Sequence, residues 1–144
     1  MIDETVSTTI QRPIDEVFEF VADMTNEPRW HTDIVEAQRI DEGVPGSGSR
    51  FRVKFRPRQM GPSEGVVEVK RSEPERIVVQ ESEMGNMSPT ITNRFEEASS
   101  GTRVIRRIQI ETSGVTSVMA PLMGMMVRRA NRRFVDNLKT VLED

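Results

Sequence analysis

An arginine, an amide and a carboxylate on neighbouring strands make a hydrogen-bonding pole for a ligand, and Arg106, Asn93 and Glu81 are the candidates here. A turn brings them together. If Ser99-Ser100 closes a two-residue hairpin, Phe95 faces Val104, Asn93 faces Arg106 and Ile91 faces Ile108. Arg106 then shares a strand face with Val104, Ile108 and Ile110, and Glu81, following Ile77 and Val79, is expected inward on the neighbouring strand. Holding polar groups on an interior face costs stability, which makes them candidates for orienting a ligand carboxylate, carbonyl or hydroxyl. The competing reading is a register displaced by one residue, which turns them into solvent.

Trp30-His31 is the next candidate pair. His31 is the single histidine, able to act as acid or base near neutrality, but no second inward acid or nucleophile stands at a recognisable spacing. A structurally bonded histidine is the alternative, and Trp30 suits core packing as well as ligand contact. With no cysteine and one histidine, thiol nucleophiles, cysteine-ligated metals and multi-histidine metal sites are excluded. No catalytic set, metal or cofactor is expected. Nine methionines are many for this length. Met119, Met123 and Met126 are expected on or beside the inner stripe of the last helix, where flexible thioethers either line an adaptable pocket or fill core gaps. Met60, Met84 and Met87 fall in expected loops. Phe51 and Phe55 complete the apolar candidates, with Ile91 and Ile108.

The elements that must position these residues are read from periodicity. Thr5 to Gln11 alternates as a strand, and Arg12-Pro13 ends it. Ile14, Val17, Phe18 and Val21 then recur at helical spacing, with Pro13, Asp15 and Glu16 suited to a helix start. A polar turn over DMTNEPRWH leads to strands at Ile34 to Ile40, Arg50 to Arg56, Gly65 to Arg71, Arg76 to Glu83, Thr90 to Glu96 and Arg103 to Glu111, separated by turn-forming residues. Phe51, Val53 and Phe55 alternate with Arg50, Arg52, Lys54 and Arg56, so one face is buried and one wet. A long helix over Val118 to Leu142 closes the chain, with Leu122, Met126, Ala130, Phe134, Leu138 and Val141 as its expected stripe. Strand, helix, six-strand meander and long helix define one α+β domain over residues 1–144, the helix covering the apolar face of a curved seven-stranded antiparallel sheet.

Composition agrees with a globular chain: 35% of residues are hydrophobic and 30% charged. The net charge of −3 argues against a general nucleic-acid binder, although arginines cluster at 50–58 and 128–133. The N-terminus carries acids where a signal peptide needs bases, and no apolar run approaches the roughly 18 residues of a membrane span. The cytoplasm, no stable membrane insertion, and a monomer or weak homodimer are the expectations.

The opening strand running into RPIDEVFEFVAD, the NEPRWH turn, GSGSRFRVKF, SEPERIVV, NRFEEASSGTRV and the closing RRFVDNLKTVLE together resemble the polyketide cyclase/dehydrase and lipid-transport superfamily. Its members share a START-like, birch-pollen-allergen-like helix-grip fold. The resemblance implies short helices after the first strand and a cavity between sheet and C-terminal helix for a hydrophobic small molecule such as a lipid, quinone or polyketide. It implies no universal catalytic motif. Binding or carriage is the first functional expectation, a cyclase or dehydratase using the same cavity the second, and a protein-interaction module using an arginine-bearing face the third.

Overall fold

The computed structural model describes residues 1–56, 62–83, 87–111 and 118–144. Among them the chain forms β1 (Ile2–Ile10), α1 (Ile14–Ala22), a 3-10 turn (Met24–Arg29), β2 (Ile34–Arg39), β3 (Arg50–Phe55), β4 (Ser63–Glu73), β5 (Ile77–Glu83), β6 (Thr90–Ala98), β7 (Gly101–Ile110) and α2 (Ala120–Glu143). The strands make one antiparallel sheet in the order β1-β7-β6-β5-β4-β3-β2. β2 to β7 pair with their sequence neighbours. α1 and the 3-10 turn carry the chain from β1 at one edge to β2 at the other.

α1 starts after Pro13 with Asp15 and Glu16 in its first turn, and buries Val17, Phe18 and Val21. Asp23 stops it and starts the 3-10 turn, its carboxylate accepting hydrogen bonds from the Thr25 amide at 3.0 Å and the Thr25 hydroxyl at 2.6 Å. Register shifts between Ile34 and Glu36 and between Val69 and Arg71 bend their strands, as bulges do.

Ser99-Ser100 closes the β6–β7 hairpin with the expected register, Asn93 opposite Arg106 and Phe95 opposite Val104. Gly101 follows at φ +151°, where a Cβ would lie 2.1 Å from the Ile10 carbonyl oxygen. Only glycine allows this approach of the hairpin to the end of β1.

α2 protects the β1 edge. Arg132 Nη1 donates to the Ser7 carbonyl at 2.8 Å and Lys139 Nζ to the Thr9 carbonyl at 2.5 Å, which occupies acceptors an exposed edge would offer to another chain. Arg12 Nε and the Gln11 amide bind the helix end through the Leu142 carbonyl and the Glu143 carboxylate. Its buried stripe is Gly124, Asn131, Phe134, Val135 and Leu138. The expected stripe fails at its start: Leu122 and Met126 are 54% and 45% exposed. A four-residue step overshoots a full helical turn by about 40°, so a stripe drawn at constant fours rotates out of the interface.

The concave face is apolar at both ends. One cluster joins Val17, Phe18 and Val21 to Phe51, Val78, Phe95, Val104, Phe134 and Leu138; a smaller one joins Ile2, Ile108 and Ile110 to half-buried Ile91, Met87, Met123 and Val127. On the convex face, charges pair across strands, as with Arg52–Glu64 at 3.4 Å, Lys54–Glu36 at 3.2 Å and Arg103–Glu96 at 3.5 Å. The arginine-rich side of β3 is thus the wet face of the sheet.

Candidate functional site

A polar belt interrupts the apolar concave face. One row across the sheet reads Val78, Asn93, Arg106 and Val6; beside it, Gln80 pairs with Ile91 and Ile91 with Ile108. Because paired residues share a face, this register puts Gln80, Asn93 and Arg106 side by side on three strands. All three are buried, Arg106 at 1% exposure. Its Nη1 donates to Asn93 Oδ1 at 3.3 Å, and its Cζ lies 5.0 Å from the centre of the Trp30 ring, a cation–π separation. Asn131 of α2 donates to the Arg106 carbonyl at 3.1 Å.

The turn after α1 closes the belt from above. Glu27 is buried in the 3-10 turn, and its carbonyl accepts the amides of Trp30 at 3.0 Å and His31 at 2.7 Å. This fixes Glu27, Trp30 and His31 as one unit over the sheet. Burial pushes the Glu27 carboxyl up to about 7, outweighing the nearby Arg106 charge, which favours its ionised form. Burial also draws the Arg106 pKa below its usual value, and the Glu27 charge opposes that shift. His31 is held well below its ordinary pKa by burial first and then by the Arg106 charge, with Arg133 adding to it. It is therefore a neutral ring at physiological pH, stacked on Phe134 with centroids 3.8 Å apart and edge-on to Trp30 and Phe55.

Among the described residues, the buried Trp30 Nε1, Gln80 Nε2, Asn93 Nδ2, Arg106 Nε and Arg106 Nη2 have no hydrogen-bond partner. Each such donor costs about 1–3 kcal/mol if left dry, more when charged. The acceptor Asn131 Oδ1 and the ring nitrogen His31 Nδ1 are buried near these five donors without a partner as well. Nearby, a groove of about 710 Å³ opens between Phe18 and Ala22 of α1 and Phe51, Val69 and Val78 of the sheet. Val69 is paired with Gln80 and Val78 with Asn93, so the groove floor is one strand from the belt. The expectation placed the room under the C-terminal helix, whereas this groove lies against α1.

The structure brings together Arg106, Asn93 and Trp30, with His31 beside them. Ile91 and Ile108 face inward in the smaller cluster, Phe51 floors the groove, and Phe55 is half-buried against His31. Glu81 requires correction. It is on the convex face, 3.7 Å from Lys70, in a polar depression of about 330 Å³. The run Ile77-Val78-Val79 does not alternate, so apolarity alone leaves the parity of β5 open; pairing of Val78 with Asn93 settles it and turns Gln80 inward. Met119, just before α2, and Met126 within it also require correction, being 52% and 45% exposed, while half-buried Met123 packs on the smaller cluster. Met60 and Met84 lie outside the described residues. Glu27, Gln80 and Asn131 escape a reading of the sequence alone. A polar residue in an apolar strand is the available signal for Gln80, and one three residues before Phe134 for Asn131; Glu27 sits in an aperiodic turn that gives none.

A curved antiparallel sheet gripping a long C-terminal helix, with short helices after its first strand, defines the helix-grip class of α+β proteins. The chain belongs to the family described as Polyketide cyclase / dehydrase and lipid transport, which it matches over residues 1–143. No curated protein matches it. Among solved structures it is similar to TTHA0849 of Thermus thermophilus, at 14% identity and TM-score 0.80 over 96% of this chain and 94% of that one. It is similar to Ms6760 of Mycobacterium smegmatis, at 12% identity and TM-score 0.74 over 98% and 90%. It also resembles Ara h 8.0201, at 13% identity and TM-score 0.71 over 97% and 96%. At these identities the likeness is one of fold. Family and fold together suggest binding of a hydrophobic ligand, and no helix of the described residues is long and apolar enough to cross a membrane.

Proposed function

We propose that the chain binds or carries a hydrophobic small molecule whose apolar body lies between α1 and the sheet and whose polar end meets Arg106, Asn93, Gln80 and Trp30. The five buried N–H donors without partners carry this reading. Burying an apolar body repays desolvation at about 25 cal/mol per Å², and the donors then fix its orientation. A melting screen with fatty acids, quinones and aromatic polyketides tests it. A ligand at a hundred times its Kd adds about 2.7 kcal/mol to stability, so at least one class is expected to raise Tm by several degrees. A screen in which no apolar compound moves the transition contradicts the reading.

One observation favours a second reading, a cyclase- or dehydratase-type enzyme. Glu27 is buried, exchanges its proton at about 7, and faces a cation, the combination a general acid or base needs near neutrality, with Arg106 available to an oxyanion. Turnover of a polyketide-like substrate that falls sharply in Glu27→Gln while binding persists would separate catalysis from carriage.

A further inference from the structure

Arg106 is, among the described residues, a buried cation without a contact counter-ion. Among the described residues no carboxylate oxygen lies within the 4.0 Å ion-pair limit of its guanidinium, although guanidinium stays protonated in proteins. Nη1 is taken by Asn93; Nε and Nη2 are free. Those two nitrogens share one edge of the planar group and form the fork that receives both oxygens of a carboxylate. The neighbouring free groups on Asn93, Gln80 and Trp30 are also donors. An ammonium head would have Asn131 Oδ1 and the Glu27 carboxyl to meet but would stand against the Arg106 charge, and a hydroxyl uses only a fraction of the donors.

We infer that this pole takes the carboxylate of an amphiphilic acid as the counter-ion of Arg106, and that Glu27 takes up one proton from solvent as the acid binds, an assignment that rests on the proposed function. The charge balance requires both parts. Glu27 is the carboxylate whose charge Arg106 senses most strongly, so an incoming anion on the guanidinium fork meets a like charge across the site. Protonating Glu27 removes that repulsion and leaves one buried cation with one buried anion. The groups facing Glu27 permit this. Arg106 comes from β7 and Gln80 from β5, and the buried residues of α1 are the apolar Val17, Phe18 and Val21. His31 is neutral, and Arg133 of α2, which reaches the site through His31, is engaged with Asp33 at 3.6 Å. The Glu27 carboxyl already exchanges its proton at about 7, so uptake needs no remote pH.

The test compares decanoate with decan-1-ol by calorimetric titration at pH 6 and pH 8, on the wild type and on Glu27→Gln and Arg106→Gln. Decanoate is expected to bind the wild type more tightly than the alcohol at pH 6 and to weaken about tenfold by pH 8, since one coupled proton gives up to tenfold per unit above its pKa. The alcohol is expected to show no such slope. Glu27→Gln, close in shape to the native residue, is expected to bind decanoate equally at both pH values, and Arg106→Gln to lose the preference for the acid. Should Arg106→Gln not fold, the wild-type pH profile decides alone. Decan-1-ol binding as tightly as decanoate, or a decanoate affinity flat from pH 6 to 8 in the wild type, overturns the inference and leaves the proposed function standing. Failure of both ligands to bind overturns the inference, and it overturns the proposed function as well only when no compound of the melting screen moves the transition.

Discussion

At the scale of single residues, the interior is unusual for holding Glu27, Arg106 and His31 together. Glu27 has a stability signature of its own. Its carboxyl titrates at an ordinary 4.5 in the unfolded chain and at about 7 in the native one. The native state therefore holds its proton more tightly, and this contribution is complete below about 4.5 and lost as pH rises through about 7. A shift of that size corresponds to roughly 3 kcal/mol. Glu27→Gln, which cannot ionise, is expected to gain on the ligand-free wild type between pH 5 and pH 8 in denaturant unfolding, by an amount approaching that figure. An equal difference at both pH values would show that Glu27 is not buried as described. His31 acts in the opposite sense, since its depressed pKa makes protonation below 6.5 destabilising, but it is present in both proteins and cancels. Asn93 and Arg106 are legible in the sequence because a two-residue turn fixes register; Glu27 is not, because its burial comes from tertiary placement of a turn that has no period to read.

At the scale of elements, strands and helices are legible to within a few residues, for physical reasons that also explain the errors. Alternation in Arg50–Phe55 and the Ser99-Ser100 turn fix faces unambiguously. The three consecutive apolar residues opening β5 do not, and the expectation for Glu81 falls on the wrong side of the sheet in consequence. The exposed residues Val118, Met119, Leu122, Met125 and Met126 blur the stripe of α2 because its first turns carry apolar side chains on more than one side. The β6–β7 hairpin supplies a direct test of element positioning. Gly101→Ala puts a methyl group against the Ile10 carbonyl in a conformation that L-residues avoid, and it is expected to cost at least about 1–3 kcal/mol. A chemical-denaturation midpoint equal to that of the wild type would mean that β7 does not approach β1 as described.

At the scale of the whole molecule, the division of labour is between faces. The convex face balances its cations with acids on adjacent strands, and exposed pairs of this kind contribute about 0–1 kcal/mol each. On β3 they balance Arg52 with Glu64 and Lys54 with Glu36. The concave face carries two apolar clusters with donors between them, and the groove against α1 ends one strand from those donors. Helix-grip architecture is legible from the order of elements, while the location of the groove is not, because it depends on how α1 and the loop at 45–49 stand off the sheet. The indole N–H of Trp30 offers the most direct measurement: the chain has one tryptophan, so its ¹⁵N-labelled side chain gives a single resonance, and this N–H is one of the unpartnered donors. Titration with a ligand that raises Tm is expected to shift that resonance saturably, with the same Kd as the stability gain. A ligand that binds at full occupancy and leaves the Trp30 signal where it was would contradict the account.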